Sequence, residues 1–186
     1  MPIKPSSVYT QFYSSSHFSL AMRQVKKNTK FIMNLKSDII STHELPDTQS
    51  ILKQILPSIF KSTCYNEYKY SFKKEVMKTE IGHLFEHILI EYLCLYKISE
   101  GCEEAEYSGL TKWNWKLHPK GSFHITVSAG RDDVVILSSA LEKSIMLINR
   151  ILISVLETPR VNIPFIPALG KDSHTTSFRR LLPEIS

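Results

Sequence analysis

No stretch of this 186-residue sequence approaches about 18 uninterrupted apolar residues, so no membrane-spanning helix is expected. Residues 1–16 lack an apolar core followed by a small-residue cleavage site, which makes the cytoplasm the expected compartment. Cysteine is scarce: Cys64, Cys94 and Cys102 are an odd count with no C-x-x-C pair. That pattern argues against a disulfide scaffold and against a structural zinc knuckle, and suggests free buried thiols. Lys and Arg outnumber Asp and Glu by a formal +5, with a pI near 9.0. Yet the basic residues are scattered, and no nucleic-acid motif accompanies the pairs Lys26-Lys27, Lys73-Lys74 and Arg179-Arg180. No nucleic-acid partner is therefore expected. Internal repeats are also missing.

What is present is a globular composition, 42% hydrophobic and 22% charged, at a length that suits one domain. Phe31–Leu35 reads as a short strand. Leu45-Pro46-Asp47 opens a helix to about Phe60, with Ile51, Leu52, Ile55, Leu56 and Ile59 on one side and Pro57 bending or ending it. A loop follows around Cys64–Tyr70. Thr79 offers an N-cap for the clearest helix, running to about Lys97. Glu100, Glu103, Glu104 and Glu106 then crowd a segment that reads as a polar loop. Thr111–Leu117 and Phe123–Ala129 are expected as a hairpin turning at His118-Pro119-Lys120-Gly121. Asp132 or Asp133 caps a last long helix to about Leu156, carrying Val134, Leu137, Leu141, Ile145, Ile148 and Leu152 at helical spacing. Pro159, Pro164 and Pro167 preclude a regular helix beyond Thr158. The expectation is an α+β domain over 1–158, with helices packed on a small, mostly antiparallel sheet, and an extended or disordered tail over 159–186.

The chemistry lies in Gly82-His83-Leu84-Phe85-Glu86-His87. At about 100° per residue, Ile81, Leu84, Phe85, Ile88, Tyr92 and Leu95 gather on one side of the helix. His83, Glu86, His87, Ile90, Glu91 and Cys94 gather on the other. Imidazoles four residues apart lie one turn above each other and can share one zinc ion. Glu86, beside them, is placed to act as general base toward a water that zinc acidifies. The order H-x-x-E-H resembles that of the inverted zinc peptidases. The alternative is a surface helix with two histidines and its carboxylates on the wet side. Glu91 is the expected third ligand, although it stands about 12 Å along the axis from His83 in a straight helix, which leaves Glu142, Glu157 or a role for Glu91 in orienting an imidazole open.

The chain resembles the N-terminal domain of cyanophycin synthetases. That pattern, Gly-His-x-x-Glu-His followed by apolar residues and a Glu, is matched by Gly82, His83, Glu86, His87 and Glu91. Leu56-Pro57-Ser58-Ile59 followed by Cys64 resembles a Leu-Pro-x-Leu segment ending in a cysteine, and Gly109-Leu110-Thr111-Lys112 resembles a Gly-x-Thr-Arg. His118-Pro119-Lys120-Gly121-Ser122-Phe123 resembles the Thr-Pro-Gly-x-Tyr turn. The resemblance implies an α+β module that in full synthetases precedes two ATP-dependent ligase domains. It binds a polymer of aspartate bearing arginine on its side chains, and in some members hydrolyses that polymer at a metallopeptidase-like site. No Gly-rich phosphate loop is present, so the expectation is a stand-alone module without synthetic activity. Lys112 stands where the family has arginine, keeping the charge but losing a bidentate clamp, and Ser62 where the family often has histidine.

Two functions are carried forward. One is a zinc-dependent amide hydrolase acting on cyanophycin or a related arginine-bearing peptide, with His83, His87 and Glu91 on the metal, Glu86 as base, and Thr111 and Lys112 as substrate contacts. The other is a non-catalytic polymer- or partner-binding module that keeps the helix, with Trp113 and Trp115 as a platform.

Overall fold

A computed structural model describes residues 11–65, 71–154 and 173–181. The strands are β1 (Gln11–Ser14), β2 (Phe18–Gln24), β3 (Thr29–Leu35), β4 (Thr63–Tyr65), β5 (Glu104–Lys112), β6 (Ser122–Val127) and β7 (Ser173–Leu181). The helices are α1 (Thr48–Ile55), α2 (Phe72–Glu75), α3 (Ile81–Ser99) and α4 (Val134–Ile153), with short 3-10 turns between them. The strands form one sheet in the order β1-β2-β3-β6-β5-β7-β4, every pair antiparallel. The fold is α+β, as expected.

Strand alternation decides which side of the sheet is covered. Phe31, Met33, Phe123, Ile125 and Val127 point one way and are buried, in the register Met33↔Phe123, Phe31↔Ile125 and Thr29↔Val127. Helix α3 lies on that side over β5, β6 and β7, and α4 packs on α3. Thus α3 is sandwiched, and both of its faces are buried: Ile81 to Glu91 are all inaccessible, along with Leu93 and Cys94. The approach of α3 to the sheet depends on Gly82, where an added Cβ would sit 2.3 Å from the ring of Phe123.

Several expectations shift. The first helix ends at Ile55, and Pro57 starts a separate 3-10 turn, Pro57–Lys61, because proline cannot donate into the preceding turn. The acidic segment is not a loop: β5 begins at Glu104, burying Ala105 and Tyr107 while Glu104 and Glu106 alternate onto the exposed face. It ends at Lys112, so Trp113 and Trp115 lie in the connection to β6. Trp113 is only 3% exposed, which removes it from any surface platform, while Trp115 is half-buried; both rings pack on Phe123 with centroids 6.0 Å away. Residue 80, not Thr79, is the N-cap of α3, since Thr79 is held in an extended link by its backbone pairing with Thr42. Helix α4 buries Ile136, Leu137, Ala140, Ser144, Leu147, Ile148, Ile151 and Leu152, while Val134 is exposed. Within the Pro-containing segment, Ser173–Leu181 is a strand lying between β5 and β4; residues 155–172 and 182–186 lie outside the described residues.

Candidate metal centre

The polar face of α3 turns out to be dry. His83, Glu86, His87 and Glu91 are each fully buried, because α3 is covered by the sheet, chiefly β5 and β7, and by α4 rather than left in solvent. Burying four ionisable groups without compensation would be costly, so their partners define the site.

The imidazoles are arranged by hydroxyls. Thr79 Oγ1 lies 2.7 Å from Nδ1 of His83, and Ser62 Oγ 3.4 Å from Nδ1 of His87. Both rings thereby direct Nε2 at a common point: the two Nε2 atoms are 3.1 Å apart, and the rings meet edge to face at 79°. Phe72, buried at the start of α2, stacks on His87 at a centroid distance of 3.9 Å and fixes the plane of that ring. A third donor arrives from the sheet. Cys64, on the edge strand β4, places Sγ 3.5 Å from Nε2 of His83. Donor atoms of Cys64, His83 and His87 all lie within 4.8 Å of one another, a buried group that can hold a metal ion.

Glu86 is set by β5. Thr111 Oγ1 donates to Glu86 Oε2. Two residues earlier in the strand, Gly109 leaves the space the carboxylate fills, since a Cβ there would sit 2.6 Å from Glu86 Oε1. Thr111 and Lys112 are consecutive in β5 and so face opposite ways, Thr111 buried beneath α3 and Lys112 exposed on the outer face. Glu91 is buried on α3 but is not a member of the three-donor group; two turns separate it from His83. Glu142 is exposed on α4, and Glu157 lies outside the described residues.

Cys64 is the donor that sequence reasoning missed. Its odd, unpaired count favours an inert thiol, although its place after Leu56-Pro57-Ser58-Ile59 resembles a family segment ending in cysteine. Spacing alone does not bring residue 64 to residues 83 and 87; the antiparallel pairing of β4 with β7 at the end of the sheet does.

Residues 30–110 match the family model of the cyanophycin synthase-like N-terminal domain. The matched segment contains Cys64, His83, Glu86 and His87, and it ends before Thr111. Comparison with curated proteins and with solved structures gives no match. The matched segment thus holds every donor of the metal-competent group, while helix α4, which packs on α3, and strand β7, which pairs with β4 and β5, lie outside the match. Among the described residues, no helix is long and apolar enough to cross a membrane.

Proposed function

We propose that the protein is a zinc-dependent amide hydrolase-like module acting on an arginine-bearing aspartate polymer or a related peptide, with Cys64, His83 and His87 as the metal ligands and Glu86 as the general base. The observation that carries this reading is the convergence of two Nε2 atoms and one thiol beside a glutamate on the same helix face.

The donor set fits zinc. One sulfur and two imidazole nitrogens are borderline-soft ligands. Zinc–nitrogen and zinc–sulfur bond lengths put the edges of a tetrahedron at about 3.3 Å between nitrogens and about 3.6 Å between nitrogen and sulfur. The distances found are 3.1 and 3.5 Å. Three protein ligands leave a fourth position, the arrangement of catalytic rather than structural sites. Bound there, zinc supplies a Lewis acid toward an amide carbonyl and acidifies the attacking water.

The protein's own residues do the rest. Glu86 takes the proton from the attacking water and delivers it to the departing amine, with Thr111 holding Oε2 so that the carboxylate keeps one orientation. The low-dielectric surroundings strengthen both steps, because α3 and the sheet exclude bulk water from the group. The family match supports an arginine and aspartate polymer as the substrate class.

A second reading is favoured by the complete burial of the donors: a closed metal centre that pins β4 to α3 in a non-catalytic binding module. One experiment separates the two. Bound metal is measured in the purified protein and in Glu86→Gln, and both are assayed for amide cleavage of the polymer. The hydrolase reading expects about one zinc per chain in both, with cleavage falling by roughly 10²–10⁴-fold in the variant. Zinc without cleavage in the parent protein leaves the binding module, and the absence of zinc removes both metal readings.

A further inference from the structure

We infer that Thr79 and Ser62 are positioning residues that set the tautomers of His83 and His87, presenting both Nε2 lone pairs to one metal ion. This inference rests on the metal reading above and assigns roles to two residues outside the H-x-x-E-H pattern.

The argument for His87 is one of proton accounting. Ser62 has a single hydroxyl proton, and it is committed: Oγ donates to the carbonyl of Ile59 at 2.6 Å. Toward Nδ1 of His87 the same oxygen therefore acts as acceptor, so Nδ1 carries the proton and Nε2 the lone pair. Stacking on Phe72 stops the ring from rotating away from this partner. The carbonyl that anchors Ser62 belongs to the 3-10 turn begun by Pro57, so a local backbone feature is transmitted to the metal-facing nitrogen.

For His83 the hydroxyl sits closer. Thr79 Oγ1 is 2.7 Å from Nδ1, four residues earlier in the chain and just outside the helix. With Nε2 of His83 turned toward Nε2 of His87 and toward Cys64, a shared cation requires the proton of His83 on Nδ1, where Thr79 accepts it. Thr79 is itself clamped: its backbone N–H donates to Thr42 Oγ1 at 2.9 Å, and its carbonyl accepts from the Thr42 N–H at 2.8 Å. The extended link that costs α3 its Thr79 N-cap is thus what frees this hydroxyl for the imidazole. Thr79 and Ser62 are both buried, at 1% and 6% exposure, so neither hydroxyl spends its hydrogen bonds on bulk water.

The test uses zinc ions and the full chain. Zinc affinity is measured by competition with a chromophoric chelator for the parent protein, Thr79→Val, Thr79→Ser and Ser62→Ala, and thermal unfolding without metal establishes that each variant folds. Imidazole nitrogen shifts of His83 and His87 are recorded by NMR with and without zinc. Loss of either hydroxyl is expected to weaken zinc binding by about 10–100-fold, with Thr79→Ser restoring it to near the parent value. The zinc-loaded parent shows protonated Nδ1 on both rings, and Ser62→Ala abolishes the fixed Nδ1–H state of His87 even without metal. Zinc affinity unchanged in folded Thr79→Val and Ser62→Ala overturns the inference. A parent protein that binds no zinc overturns the metal reading, and the inference is then judged on the His87 shifts alone: a proton on Nε2 in the metal-free parent overturns it.

Discussion

The molecule carries two close histidine pairs, and they differ in everything except the residue type. His83 and His87 have ring centroids 4.6 Å apart, and His118 and His124, at the end of the β5–β6 hairpin, 4.9 Å. The first pair is fully buried, each ring hydrogen-bonded through Nδ1 to a hydroxyl, with a thiol 3.5 Å away. The second has His118 in solvent and His124 half-buried on the outer face of the sheet, and opposite His124 stands Lys112, a cation rather than a soft donor. Burial and His118 together hold His124 below its ordinary pKa of 6.5. Two neighbouring imidazoles do not by themselves make a metal centre. The buried pair is distinguished by a hydroxyl at each Nδ1 and by a thiol, a third donor that could hold the same ion.

The sharpest way to break this comparison is to delete one member of each pair. His83→Ala is expected to cost more in zinc affinity than the roughly 10–100-fold typical of an outer-shell partner, whereas His118→Ala leaves affinity within a few-fold; chelator competition reads both. Equal losses would mean that the two pairs are equivalent after all. A smaller effect comes from crowding Glu86. Gly109→Ala brings a Cβ to within 2.6 Å of Glu86 Oε1 and of Ile90 Cδ1, and is expected to lower stability by about 1–3 kcal/mol in chemical denaturation. Zinc affinity should change little, because the atoms that the added Cβ meets first belong to Glu86 and Ile90 rather than to Cys64, His83 or His87, and amide cleavage should fall with the displaced carboxylate. The neighbouring Ser108→Ala, on the exposed face of the same strand, is expected to stay within about 0.5 kcal/mol of the parent.

The smallest effect is a pH dependence confined to the outer pair. The folded-state pKa of His124 is depressed, so between that value and 6.5 the unfolded chain binds the extra proton. Stability is therefore fully present above about 6.5 and declines as pH falls toward the folded value. In metal-free protein, His124→Asn should flatten the melting temperature across that window without altering it at pH 8. A profile unchanged by the substitution would show that His124 does not contribute.

The comparison also separates what can be read locally from what cannot. The helix bearing His83, Glu86 and His87 is legible because its spacing is set by a rise of about 1.5 Å per residue, whatever the surroundings. The β5–β6 hairpin is legible in its turn but misplaced in its first strand. Four glutamates dominate the composition between residues 100 and 106, masking the alternation of Ala105, Tyr107 and Gly109. Trp113 and Trp115 show the same limit from the other side: equal spacing permits a surface platform or a core, and packing on Phe123 buries Trp113 and half-buries Trp115.

What the sequence by itself determined is the one-turn spacing of His83 and His87, the position of Glu86 beside them, and the α+β class, all consequences of short-range geometry and apolar periodicity. Tertiary structure alone decided that this helix face is dry, that Cys64 and not a more distant carboxylate stands with the two histidines, and that Thr79, Ser62 and Thr111 hold their orientation. The reason is physical distance along the chain. A helix repeats its own geometry every 3.6 residues, but a thiol 19 residues upstream reaches the same point only once β4 has paired into the sheet that α3 covers.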